Sequence, residues 1–289
     1  MSGVVEWYRD LLYNRNDPRT NDWFLISGPA PIITIVVTYI YFSVSAGPRY
    51  MRDKKPYSLK NTLIIYNFIQ VLLSIYLVYE GLIAGWLFDY NYKCQPVDYS
   101  DNPKAMRMAR AVYIYFLCKL IELLDTVFFV LRKKHRQISF LHVYHHAMMP
   151  ICAWIGVRFV AGGHPTLLGV INSFVHIIMY TYYMLAAIGP QVQKYLWWKK
   201  YLTSLQLIQF LIIFIHNGQL LFSDCKFPKP LTTLLTLNAA LFIYLFGSFY
   251  VKNYLTGRKE PKTRQENGAQ CRLASNTENR INYPGQKLD

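Results

Sequence analysis

The sequence predicts an all-α, polytopic membrane protein, and three observations carry that prediction. Hydrophobic residues make up 53% and aromatics 16% of the 289 residues. The apolar residues gather in blocks of roughly twenty, the length a helix needs to cross a hydrocarbon core. The basic residues, which give a formal charge of +15, collect between the blocks and not along one exposed face, so they report topology and argue against nucleic-acid binding. Five scattered cysteines, with no C-x-x-C pair, exclude a zinc site and a disulfide framework.

Taken in order, residues 1–23 mix charges of both signs with Trp7, Trp23 and Pro18 and read as an amphipathic lead-in. The first span covers about 24–46; it is too long for the apolar region of a signal peptide and is retained. Six more follow at about 61–88, 111–131, 138–160, 165–188, 201–222 and 231–255, so that 24–258 forms one seven-helix domain. The stretch 259–289 is polar, basic and aperiodic, and is expected to be disordered.

Loop charge sets the orientation. Arg49, Arg52, Lys54, Lys55 and Lys60 fill the first loop, Arg132, Lys133, Lys134 and Arg136 the third, and Lys194, Lys199 and Lys200 the fifth; Arg258, Lys259, Lys262 and Arg264 follow the last span. These alternate with loops that are acidic or mixed. The positive-inside rule then puts the C-terminus in the cytosol and the N-terminus on the far side. Cys94 and Cys225 fall in two far-side loops, where disulfides persist, and are expected to be bonded.

Polar residues inside the spans keep helical spacing. Lys119, Glu122 and Thr126 make one stripe, with Asp125 at its edge. His142, His145 and His146 cluster in the next span, four residues before Pro150, where a kink is expected. Asn172, His176, Tyr180 and Tyr183 share a face of the fifth, and Thr203, Gln206 and Phe210, with Gln209 beside them, a face of the sixth. Individually these have ordinary readings: a Lys119–Glu122 ion pair, or amides joining helices. Together, four consecutive spans with polar faces must converge on a shared interior, because lipid would leave those groups unpaired. An HxxHH box also suggests a metal, as in membrane desaturases and hydroxylases. That chemistry needs several histidine clusters, whereas His135, His164, His176 and His216 stand singly, and Lys119 would oppose a cation. No metal site is therefore expected. A seven-span receptor shares the topology but has no use for the box.

These segments, KLIELLDT from Lys119, HVYHH from His142, HIIMYTYY from His176 and TSLQLIQF from Thr203, resemble in kind and order the four signature boxes of the very-long-chain fatty acid elongases of the endoplasmic reticulum. The similarity runs over about residues 20–260 and is greatest to the animal subgroup acting on saturated and monounsaturated long acyl chains. A dilysine retrieval tail is missing. The resemblance implies seven helices enclosing an acyl-chain tunnel, with a luminal N-terminus. It implies condensation of a long-chain acyl-CoA with malonyl-CoA to a 3-oxoacyl-CoA, CO2 and CoA, with no bound cofactor. Implied partners are membrane lipid and the downstream ketoacyl-CoA reductase, dehydratase and enoyl-CoA reductase, and the reading allows a homo-oligomer.

On this reading His145 is expected to be the nucleophile, forming an acyl-imidazole, with His142 or His176 as a second imidazole and His146 beside them. Cys152, seven residues past His145, is a rival nucleophile. Glu122 and Asp125 would orient imidazoles next to Lys119. Asn172, Tyr180 and Gln206 would hold the oxyanion; Tyr183, Gln209 and Thr203 complete the substrate-binding set, and Arg132, Lys133, Lys199 and Lys200 would meet the CoA phosphates.

Overall fold

The computed structural model describes residues 15–256, together with Gly3, Glu6 and Asp10. The expected tail at 259–289, and the basic residues that open it, lie outside the described residues. Among the described residues there is helix and no strand.

Before the first helix, the segment around Pro18–Thr20 is bonded to the helix that carries Val157 and Arg158. Asp17 caps this short turn, pairs with Arg19 at 2.6 Å and is fully buried. Its amide donates to the Arg158 carbonyl (2.8 Å), and the Thr20 hydroxyl to that of Val157 (2.9 Å).

Helix α1 (Ala30–Met51) starts at the Pro29–Pro31 pair, six residues later than the apolar block, because proline suits a helix N-terminus. It runs through a π-helical turn, Phe42–Ala46, past the expected end. Helix α2 covers Lys60–Trp86. Helix α3 (Pro103–Ile121) starts eight residues before the expected span; the Asn102 side chain accepts from the Ala105 amide at 2.8 Å, and Pro103 opens the first turn. The expected single third span is in fact two helices. A tight turn at Glu122–Leu123 separates α3 from α4 (Leu124–Leu131), with Leu123 N–H bonded to the Leu120 carbonyl. Helix α5 (Phe140–Phe159) carries Pro150 inside without interruption. Then follow α6 (Thr166–Ile188), α7 (Lys199–Gly218, continued to Phe222 as a 3-10 turn) and α8 (Lys229–Tyr250). In a second unit, Val251–Asp289, the described residues form one π-helical turn, Val251–Leu255.

Five helices are long and apolar enough to cross a membrane: Ala30–Met51, Lys60–Trp86, Thr166–Ile188, Lys199–Phe222 and Lys229–Leu255. Their outward faces are rich in exposed Ile, Leu, Phe and Tyr, a surface suited to lipid. The chain is a multi-pass membrane protein. Helices α3, with Lys104, Arg107, Arg110 and Lys119, and α5, with three histidines and Arg158, fall outside the five.

The packing closes a ring. Helix α2 lies against α6 and α3, α3 against α5, α6 against α7, and α7 against α8. Aromatic contacts close the last gap, with the His145 ring 5.1 Å from Phe242 of α8. Helix α1 stands outside, against α5. At one end, the loops after α2, α5 and α7 are tied together: Cys94 and Cys225 form a disulfide, the His164 amide donates to the Gln95 carbonyl (2.8 Å), and Gln219 Nε2 to that of Tyr92 (2.9 Å). At the other end, the Tyr57 amide donates to the Leu131 carbonyl (3.0 Å) and Lys133 Nζ to that of Arg52 (2.9 Å), joining the two basic loops.

Candidate active site

Within the ring is a cavity lined by all six ring helices. Its wall is apolar over most of its depth, through residues such as Leu77, Met149, Ile213, Leu235 and Phe242. Polar groups gather at one level, where Tyr115, His145, Asn172 and Gln209 face in. The far end, near Gly162, Pro165 and Leu231, lies under the cross-linked loops.

The polar level is built on the turn that divides α3 from α4. Lys119 Nζ sits 2.9 and 3.0 Å from the two Glu122 carboxylate oxygens and donates to Asn172 Oδ1 at 2.8 Å. Glu122 also meets His176 Nδ1, at 3.2 Å. All four side chains are buried, so the ionic groups satisfy one another where water cannot. With Nδ1–H turned to Glu122, His176 keeps the lone pair on Nε2 for chemistry. Beyond the turn, Asp125 accepts from the fully buried Tyr180 hydroxyl at 3.0 Å.

The three histidines of α5 part company. The His142 and His146 rings, one turn apart, lie 4.3 Å from each other, and His142 Nε2 bonds the Thr126 hydroxyl (2.8 Å), which bonds Tyr39 OH (2.8 Å). His145 alone lines the cavity. Cys152 lines it as well, two turns further along α5.

Asn172 is the junction. Its Oδ1 takes both Lys119 and the Tyr115 hydroxyl (2.9 Å), while Nδ2 reaches Gln209 Oε1 only at 3.5 Å. One amide donor therefore remains available at the cavity wall. Gln206 turns to the Met179 sulfur (3.6 Å). Tyr183 stands at the margin, 39% exposed, with its ring against Tyr180. Thr203 is buried, and among the described residues no hydrogen bond joins it to the cluster. Arg132, Lys133, Lys199 and Lys200 lie at the basic end, away from the buried cluster; Lys133 holds the Arg52 carbonyl, and the Lys200 ammonium lies over the Tyr201 ring.

Sequence reasoning missed Tyr115, which bridges α3 to Asn172 and whose ring lies 4.6 Å from the Lys119 ammonium. It also missed α2. Tyr66, bonded by Gln70 (3.1 Å), sets its ring edge-on to Tyr180. Buried Asn67, Gln70 and Ser74 recur there at three- and four-residue spacing, the same signal that marked the later spans.

Residues 24–262 match the GNS1/SUR4 family (ELO). The chain belongs to that family. Among its relatives, very long chain fatty acid elongase 7 of Drosophila melanogaster is 49% identical over 249 residues, 86% of this chain and 76% of the relative. Very long chain fatty acid elongase 7 of Rattus norvegicus is 46% identical over 92% of this chain and 95% of its own. Very long chain fatty acid elongase 1 of Homo sapiens is 44% identical, over 93% and 97%. The ELO match therefore takes in the whole ring and every residue of the polar level.

Proposed function

We propose that the polar level is where this chain, a fatty acid elongase, condenses a long-chain acyl-CoA with malonyl-CoA to give a 3-oxoacyl-CoA, CO2 and CoA. The observation that carries the assignment is the position of His145: one imidazole at the head of a long apolar cavity, level with Asn172 and Gln209. An acyl chain gains about 0.8 kcal/mol for each CH2 it buries in such a wall, so the chain is held below and its carbonyl is left at the imidazole.

In the first half-reaction a ring nitrogen of His145 attacks the thioester. The acyl carbon–sulfur bond breaks, an acyl carbon–nitrogen bond forms, and the departing CoA thiolate takes the imidazole proton. In the second, malonyl-CoA loses CO2 and its α-carbon carries the electron pair to the acyl carbonyl. The acyl–nitrogen bond breaks, and the imidazole regains a proton from solvent. The Tyr180 hydroxyl is committed to Asp125 and Gln206 to Met179, so the oxyanion falls to the free Nδ2 donor of Asn172. Glu122 fixes the His176 tautomer, leaving Nε2 to act at the malonyl group.

The chain crosses the membrane seven times, with α3 and α4 counted as one crossing and α5 as another. Its N-terminus and the disulfide-linked loops are luminal, and the loops with Arg52, Lys54, Lys133 and Lys200 are cytosolic and meet the CoA phosphates. The disulfide at one end and the basic residues at the other support this orientation and an endoplasmic reticulum location. The reductases and dehydratase that complete the cycle would draw on the product there.

The test is incubation of the purified protein with a long acyl-CoA alone. CoA release of about one equivalent, with the acyl mass on the peptide containing His145, is expected, and growth by two carbons on adding malonyl-CoA. No release without malonyl-CoA would remove the covalent step, and an adduct on Cys152 would move it.

A further inference from the structure

Below the polar level two polar side chains interrupt the apolar wall: Thr166, whose hydroxyl donates to the Gly163 carbonyl (2.7 Å), and Asn238. Helix α8 turns Leu231, Leu235, Ala239 and Phe242 into the cavity, at the offsets of a single helical face, and Asn238 shares that face. Leu234, Leu237 and Leu241 occupy the exposed side of the same helix. Other amides of the bundle each make at least one hydrogen bond within it. Asn67 and Asn217 donate back to their own helices, to the Leu63 and Ile213 carbonyls, and Asn172 is held by Tyr115 and Lys119. Among the described residues no group hydrogen-bonds the Asn238 side chain, which does not take the carbonyl of Leu234 one turn back. Asn238 is partly buried and lines an apolar wall without a protein partner, so its amide is available to a group that arrives with the substrate.

Phe242 fixes the height of this group. Its ring lies 5.1 Å from His145, and Asn238 is four residues earlier on α8, roughly 6 Å further down the cavity. A chain whose carbonyl lies at His145 passes Asn238 a few carbons along.

We propose that Asn238 is a specificity-determining residue whose amide recognises a hydroxyl group borne on the acyl chain. A hydroxyl can donate to Oδ1 and accept from Nδ2, answering both halves of the amide, whereas a double bond offers only a weak N–H···π contact. A plain chain leaves the amide unpaired. The proposal rests on the cavity being the acyl site.

The experiment compares kcat/KM of the full-length enzyme for stearoyl-CoA and for a positional series of monohydroxystearoyl-CoAs, in the wild type and in Asn238→Leu. At one hydroxyl position, the ratio of hydroxylated to plain substrate is expected to be about tenfold higher in the wild type than in the variant. Equal ratios at every position would overturn the proposal in favour of an Asn238 that merely holds a water. Asn238→Val serves the same comparison if the leucine variant does not accumulate. Ala239→Trp separates the two levels of argument. If it leaves chain-length preference untouched, the cavity is not the acyl site and both readings fall; if it shortens the accepted chain while Asn238→Leu moves no ratio, only the Asn238 assignment falls.

Discussion

Lys119→Met isolates the ion group on which the site is built. In the native chain the ammonium is 2% exposed and lies 2.9 Å from Glu122. At an effective dielectric constant of about 20, that separation corresponds to roughly 6 kcal/mol of attraction. Desolvation offsets much of it, and the cost of leaving Glu122 charged with only His176 at 3.2 Å is about 3–5 kcal/mol. The thermal midpoint of purified Lys119→Met, read by intrinsic fluorescence in detergent, is expected to fall by roughly 10 °C. Removing both charges should behave differently. A Lys119→Met, Glu122→Leu double variant fills the same volume with apolar groups and is expected to recover most of the midpoint. Two-carbon extension should stay absent in the double variant, because His176 has lost the carboxylate that sets its tautomer. A double variant that stays as unstable as the single one would refute the energetic reasoning. One that elongates normally would show that the ion group only holds helices together.

Three further outcomes follow from the same geometry. Replacing Cys94 and Cys225 by Ser opens a cross-link spanning 131 residues, and should lower stability by about 4–5 kcal/mol in the chain-entropy account; a reductant should lower the wild-type midpoint similarly and leave the variant unmoved. Tyr180→Phe deprives Asp125 of its 3.0 Å donor and should reduce turnover roughly tenfold to a hundredfold in a steady-state elongation assay. His164, in the loop between α5 and α6, is held below its ordinary value near 6.5 by burial, against the opposing effect of its bond to the His216 carbonyl. The unfolded chain therefore binds more protons below pH 6.5. The associated stability is complete above that pH and lost as pH falls, so midpoints scanned from pH 7.5 to 5 should decline, and His164→Asn should flatten the decline.

What could be read from the sequence was whatever repeats along a single helix. The three- and four-residue spacing of Lys119 and Glu122, of His142 and His146, and of His176 and Tyr180 placed each pair on one face, and each pair meets in space. The apolar blocks located the spans, but their starts were displaced wherever capping chemistry outweighed hydropathy. Asn102 and Pro103 begin α3 among the basic residues Lys104, Arg107 and Arg110, which no hydropathy window would include. The turn at Glu122–Leu123 carries no glycine or proline to announce it; it is imposed by contacts with other helices. Pro150 lies inside a helix that continues through it.

Pairings between helices were not legible at all, and they decide function within the site. Within the HVYHH segment the structure separates His145 from its neighbours: α8 supplies Phe242 against it while α4 supplies Thr126 to His142, which leaves His145 at the wall of the cavity. Tyr115 and Tyr66 look like two of many lipid-facing tyrosines until α3 and α2 are placed against α6. Asn172 shows why: it receives Lys119 and Tyr115 from α3 and meets Gln209 of α7, so the carboxamide is polarised by groups 53 and 57 residues away in sequence. Its single available donor is a property of that junction, and the Asn172→Asp variant, which keeps the acceptor for Lys119 and removes the donor, is expected to fold yet lose about a hundredfold or more in turnover.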